Sequence, residues 1–172
     1  MVEVSREAGL TRMQIYNRFG SREALILALL VSHAERFNEG VAERIARAPS
    51  AGEGIVAGML EAIRAGREDK YFALLVGPAT SGRDGGVPGA AQAALEASRR
   101  RWIPLIERAL ASGEFASPLG AEEIAHWIGL TELSLFNATG GFGLSLADCE
   151  RYIRVFVVAP LISHERSAGP QP

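Results

Sequence analysis

A single cysteine, Cys149, stands in a chain of 172 residues. No internal disulfide can form, no cysteine-built zinc site is available, and reducing surroundings are implied. No apolar stretch of roughly 18 residues, the length a membrane-spanning helix needs, runs without a charge. The N-terminal stretch also lacks the basic-then-apolar order of a secretory signal. The expectation is a soluble, cytoplasmic protein. No segment sustains a two-residue apolar alternation bounded by hairpin turns, which removes the sheet classes and leaves an all-α fold. Internal repeats are absent, and compositional bias is limited to the Gly/Pro-rich stretch from Gly77 to Gly89 and the tail from Ser167 to Pro172.

What the chain does contain is enough length to bury roughly 70% of its unfolded surface, so a core forms without staples. Its charge is uneven. Residues 1–22 carry four arginines (Arg6, Arg12, Arg18, Arg22) against Glu3 and Glu7, a net +2, while the whole chain is −2 and the remainder therefore −4. A small basic head on an acidic body suits contact with a polyanion, although a solvated arginine face is the commoner meaning of such a stretch.

Helix punctuation is frequent. Val2 to Ala8 reads as a short helix closed by Gly9, and Thr11 is placed to cap a second one running through Tyr16 to about Arg18. Ser21 caps a long helix whose Leu30, Ala34, Phe37, Val41 and Ile45 recur at three- and four-residue steps until Pro49 and Gly52, about 40 Å at 1.5 Å per residue. Further helices are predicted at about 53–68, 70–80, 89–112, 121–139 and 146–163, with Pro104 kinking rather than splitting the third of these. The domain division follows: 1–47 a head with its connecting helix, 48–166 a helical body, 167–172 a tail.

Two short helices about a Gly turn, with Ala8 small at the crossing and Ile15 facing inward, describe a helix-turn-helix. Thr11, Arg12, Met13, Gln14, Tyr16 and Asn17 then face outward. Arg and Gln offer bidentate contacts to base edges, while Thr, Tyr and the helix N-terminus suit phosphates. A helical corner with a wet polar face fits these residues equally well.

The stretch VSREAGLTRMQIYNRFGSREAL resembles the helix-turn-helix signature of the tetracycline-repressor (TetR) family of bacterial transcription regulators. Ala8, Gly9, Thr11, Tyr16, Phe19, Arg22, Glu23 and Leu25 carry the likeness. The signature spans about 25 residues; downstream only the layout is similar, a long connecting helix and then a ligand-binding and dimerisation body. The resemblance implies phosphate contacts from Thr11 and Tyr16, base contacts from Arg12, Gln14 and Asn17, and a backbone grip from Arg22. It further implies a double-stranded DNA operator, a small-molecule effector and a homodimer as partners, with repression the commoner role. Gln14 stands where Thr is frequent in the family. Family members also carry a helix before this motif, for which the sequence from Met1 leaves no room, and Ala24 to Val31 is apolar on nearly every side, as if awaiting one. An overlooked upstream start, a trimmed chain and a naturally shortened protein all fit, and each makes weak DNA binding by these residues alone an expectation. The alternative function is a helical ligand-binding and dimerisation protein that has lost DNA binding through N-terminal truncation.

Enzyme chemistry finds little support. Glu123 and His126 share the ExxH spacing of di-iron bundles, but such sites need a second copy and two further glutamates. The glycines from Gly82 to Gly89 lack the Lys-Ser/Thr of a phosphate loop and a preceding strand. His33 and His164 stand alone. No metal or cofactor is expected.

In the body, Met59, Ile63, Phe72, Leu75, Trp102, Ile106, Trp127 and Phe136 are candidates to border a cavity of a few hundred Å³, with His126 or Glu132 orienting a ligand. Met59, Phe72, Trp102, His126 and Trp127 are the ligand-contact set. Ordinary core is the commoner fate of such residues. The helix at 121–139 bears two apolar stripes, one of Ile124, Ile128, Thr131 and Leu135 and another of Trp127, Leu130, Ser134 and Ala138. The last helix is apolar through Tyr152, Ile153, Val155, Phe156, Val157 and Val158. These two helices are expected to pair with their copies in a symmetric four-helix interface centred on Ile128, Leu135, Ile153 and Phe156.

Overall fold

The computed structural model describes residues 2–71 and 87–162. Among them the order is α1 (Val2–Glu7), α2 (Arg12–Phe19), α3 (Arg22–Ala46), α4 (Ala51–Glu68), α5 (Ala90–Ser112), α6 (Ala121–Gly141) and α7 (Leu146–Tyr152). A π-helical turn over Ile153–Val158 continues α7. The only β-type pairing among the described residues is an isolated bridge between Phe115 and Ile162, so the fold is all-α. The helix predicted at 70–80, with Phe72 and Leu75, lies largely outside the described residues, as do the tail and His164.

Local chemistry explains the helix starts. Thr11, Ser21, Ser50 and Ser145 each accept a backbone N–H from the residue three positions on, satisfying a donor the first turn leaves free. The start of α4 gains a second cap from far along the chain: Glu114 Oε1 accepts the Ala51 N–H at 2.6 Å and the Gly52 N–H at 3.3 Å. Gly9 at φ 64° and Gly20 at φ 76° make the tight turns on either side of α2, a backbone region that side chains with a Cβ disfavour.

The core forms where α4, α5 and α6 meet the second half of α3 and the C-terminal segment. Ile55, Met59, Ile63, Trp102, Ile106, Ile124, Ile128 and Ile153 are wholly withdrawn from water. Gly58 permits this packing, because a Cβ there would lie 2.5 Å from Trp102 Cη2 and 3.0 Å from Ile45 Cδ1. A smaller cluster of Leu30, Ala34, Ala90 and Ala94 ties the first half of α3 to the start of α5. The long helix is therefore built into the body along much of its length.

Pro104 leaves α5 continuous from Ala90 to Ser112. The last helix ends earlier than the predicted 163. Pro160 has no N–H to continue the ladder and its ring crowds the preceding turn, so the chain widens into the π turn, where the Ala159 N–H donates to Arg154 O at 2.9 Å. It then runs back beside residue 116, whose N–H donates to Leu161 O at 2.8 Å. No helix among the described residues is long and apolar enough to cross a membrane.

Candidate nucleic-acid interface and ligand cavity

The head presents α2 outward. Ile15 is its single buried residue and packs it onto the molecule, while Thr11, Arg12, Met13, Gln14, Tyr16 and Asn17 are all exposed. Arg22 is exposed at the first position of α3. The sequence-derived DNA set is thus open to solvent throughout. Two of its members engage each other. Gln14 Oε1 accepts the Thr11 N–H at 2.8 Å and the Thr11 hydroxyl at 3.0 Å, and Thr11 Oγ1 accepts the Gln14 N–H at 3.2 Å. This reciprocal capping box holds the helix start. With its Oε1 so engaged, Gln14 has its side-chain NH2 left to offer another partner.

The body contains a narrow cavity of about 40 Å³, room for roughly three waters. Ala34 and Asn38 of α3, Ala62 and Ile63 of α4, Ala94, Ala97, Ser98 and Arg101 of α5, and Gly129, Glu132, Leu133 and Phe136 of α6 line it. Of the residues read from sequence as cavity-bordering, Ile63, Phe136 and Glu132 line this space. Met59 and Trp102 are fully buried in the core nearby without lining it, Phe72 is outside the described residues, and His126 and Trp127 face solvent on the other side of α6, Trp127 at 57% exposure. The physical reason is simple. Large side chains fill the core, and space is left where alanines and a glycine from four helices meet.

A polar cluster forms part of the wall. Arg101 and Glu132, with side chains only 3% and 9% exposed, pair at 2.5 Å. Ser98 donates its hydroxyl to the other Glu132 oxygen at 2.5 Å, and Arg101 donates to Asn38 Oδ1 at 2.5 Å. The guanidinium also stacks 4.7 Å from the centre of the Trp102 ring. Burial pushes the Glu132 carboxyl above its ordinary value, outweighing the opposing pull of the Arg101 charge and the Ser98 hydroxyl. Arg101 Nε–H finds no acceptor among the described residues. Sequence reasoning missed Ser98 and Arg101, although a signal exists. Both occupy steps of the stripe Ala94, Ala97, Trp102 and Leu105 that faces the core, where a charged or hydroxyl side chain is out of place.

Cys149 is buried, its thiol pushed up by burial, and no cluster of three potential metal-binding side chains occurs among the described residues. Of the residues read as the subunit interface, Ile128, Leu135 and Ile153 belong to the core, whereas Phe156 is 66% exposed. The two stripes of α6 do separate: Ile124, Ile128 and Leu135 turn inward, and Trp127, Leu130 and Ser134 turn out. Val155 beside Phe156 is likewise exposed.

Comparison of the whole fold with solved structures finds several matches. The regulator FadR of Bacillus subtilis, solved with stearoyl-CoA, superposes with a TM-score of 0.66 over 93% of this chain and 87% of its own, at 16% identity. MbdR of Azoarcus sp. CIB gives 0.58 over 94% and 87%, at 19% identity. A member of the TetR regulator family from Streptomyces coelicolor A3 gives 0.51 over 94% and 81%, at 18% identity. No protein-family model and no curated protein sequence matches the chain. The fold is TetR-like.

Proposed function

We propose that the protein is a ligand-responsive, DNA-binding transcription regulator of the TetR type, acting as a homodimer and as a repressor. One observation carries the reading: α2 offers Arg12, Met13, Tyr16 and Asn17 to solvent and runs through one turn into α3, a helix that itself lines the cavity through Ala34 and Asn38. A molecule in the cavity would press on the helix that carries the head. Occupancy then favours a conformation that spaces two recognition helices wrongly for successive major grooves. FadR was solved with stearoyl-CoA; the cavity here, at about 40 Å³, suits something far smaller.

In this reading Arg12 reads bases, with Met13 and Asn17 beside it. Thr11 and Tyr16 meet phosphates, Arg22 holds the backbone, and Gln14 orders the helix start. Subunits associate through the outward stripe of α6 and the exposed side chains of the π turn, Trp127, Leu130, Val155 and Phe156, which a lone chain leaves in water. His126, exposed on α6, falls beside that surface and away from the ligand.

The test is binding of the chain to duplexes enriched from a random pool, followed by two substitutions. Arg12→Ala should relax preference at one position per half-site, costing about 1–3 kcal/mol against the cognate base. Arg22→Ala should weaken all duplexes alike and lower the salt slope by about one. Enrichment of no sequence at any salt concentration would leave a ligand-binding dimer as the surviving reading.

A further inference from the structure

A groove of about 520 Å³, the size of a small-molecule site, runs along the outside of the body between α3 and α5. The two helices run the same way. Leu30 and Ala34 cluster with Ala90 and Ala94, Asn38 Nδ2 donates to Ala97 O at 3.4 Å, and further on a Cβ at Gly54 would touch both Ile45 and Leu105. The small or compact side chains of Ala42, Ala46 and Pro104 leave the groove open and its middle apolar.

Its charges are sorted between the two walls. Glu35 and Glu39 line it from α3, Arg100 and Arg108 from α5, and all four are exposed. No ion pair among the described residues joins one wall to the other, and Arg100 instead meets Glu96 of its own helix at 3.8 Å. Asn38 and Arg101 line the groove as well, but they bond each other at 2.5 Å. The Asn38 bond offsets the two helices by 59 positions. Arg108 then stands level with position 49, ten residues beyond Glu39, or roughly 15 Å along the axis at 1.5 Å per residue. Helical side chains lean toward the N-terminus of their helix, which brings Arg108 back beside Ala46. The groove therefore has an acidic end, an apolar middle and a basic far end. A second copy does not fill it, because the same face on two chains meets hollow to hollow. A molecule with a single charge leaves one end with water for a partner.

We propose that this groove, separate from the cavity of the sensor reading, binds a linear zwitterion, with its ammonium at Glu35 and Glu39, its aliphatic body over Ala42 and Pro104, and its carboxylate on Arg108. Glu35 and Glu39 lie one turn apart on one face of α3 and can share a cation. The guanidinium of Arg108 offers a fork that matches a carboxylate.

The experiment is titration of the isotope-labelled full chain, without DNA, with 8-aminooctanoate, octanoate and octylammonium, followed by amide chemical shifts. Shifts should centre on α3 from Glu35 to Ala46 and on α5 from Ala97 to Arg108. The zwitterion should bind about threefold or more tighter than either singly charged analogue, the size of an exposed ion pair. Glu35→Gln with Glu39→Gln should bring its affinity down to that of octanoate, and Arg108→Gln to that of octylammonium. These side chains are exposed, so the variants keep the fold, which their spectra without ligand check. Shifts centred elsewhere, an analogue that binds as tightly as the zwitterion, variants that bind it like the parent chain, or no binding by any of the three overturns the inference. Because DNA is absent, such a result leaves the regulator reading to the duplex assay. Loss of selective duplex binding, conversely, leaves this titration unaffected.

Discussion

At the scale of single residues, three carboxyls among the described residues are shifted from their ordinary values. The carboxyl of Glu53 is held below its ordinary value of 4.5, first by its hydrogen bond from Arg154, and that of Asp148 below 3.8, first by the Ser145 hydroxyl. Each contributes stability that is present above its ordinary value and lost as pH falls through the depressed one. Glu132 has the opposite sign. Burial raises its carboxyl, so the folded chain binds the proton more tightly than the unfolded chain, and stability is lost as pH rises from 4.5 through the raised value. Glu132→Gln should therefore flatten the alkaline side of a plot of urea midpoint against pH and leave the acid side unchanged. An unaltered alkaline limb would refute the assignment. Gly58 supplies a second test. Gly58→Ala gains helix propensity of about 1 kcal/mol but forces a methyl against Trp102 and Ile45. The clash should win, for a net loss of about 1–3 kcal/mol in chemical denaturation, since overpacking a rigid ring has no cheap relief.

At the scale of elements, the start of α4 depends on a residue more than sixty positions away. Glu114→Ala removes acceptors from the Ala51 and Gly52 N–H groups and a negative charge from a helix N-terminus. A destabilisation of about 1–2 kcal/mol is expected from thermal unfolding; a change within error would mean that Ser50 alone suffices. The helices themselves were largely legible because caps and breakers are local. Thr11 and Ser21 mark starts, and Gly9 marks an end, through hydrogen bonds and backbone angles within a few residues. The π turn was not legible, since the remedy for Pro160 depends on where the chain must return to meet residue 116. The exposure of the head residues was readable for the same local reason, whereas the type of Gln14 alone does not say that its side chain caps the helix. The cavity was least legible. Its position depends on which small residues from four separate helices coincide, and the search for large apolar side chains led to Met59, Trp102 and Trp127 instead.

At the scale of the whole molecule, the outward apolar surface and the exposed head support one proposal, that two copies act on one duplex. Sedimentation should find twice the chain mass at micromolar concentration, and Trp127→Glu with Phe156→Glu should reduce it to the monomer without unfolding, because both side chains lie outside the core. A double variant that remains dimeric would place the interface elsewhere. The claim at the centre is sequence-selective DNA binding. The direct measurement is the affinity of the chain, across a salt series, for the enriched duplex and for a shuffled duplex of the same composition. The account predicts a preference of about a thousandfold or more for the enriched duplex, with affinity for both falling steeply with salt as phosphate contacts are screened. Equal affinity for the two at every salt concentration would contradict it.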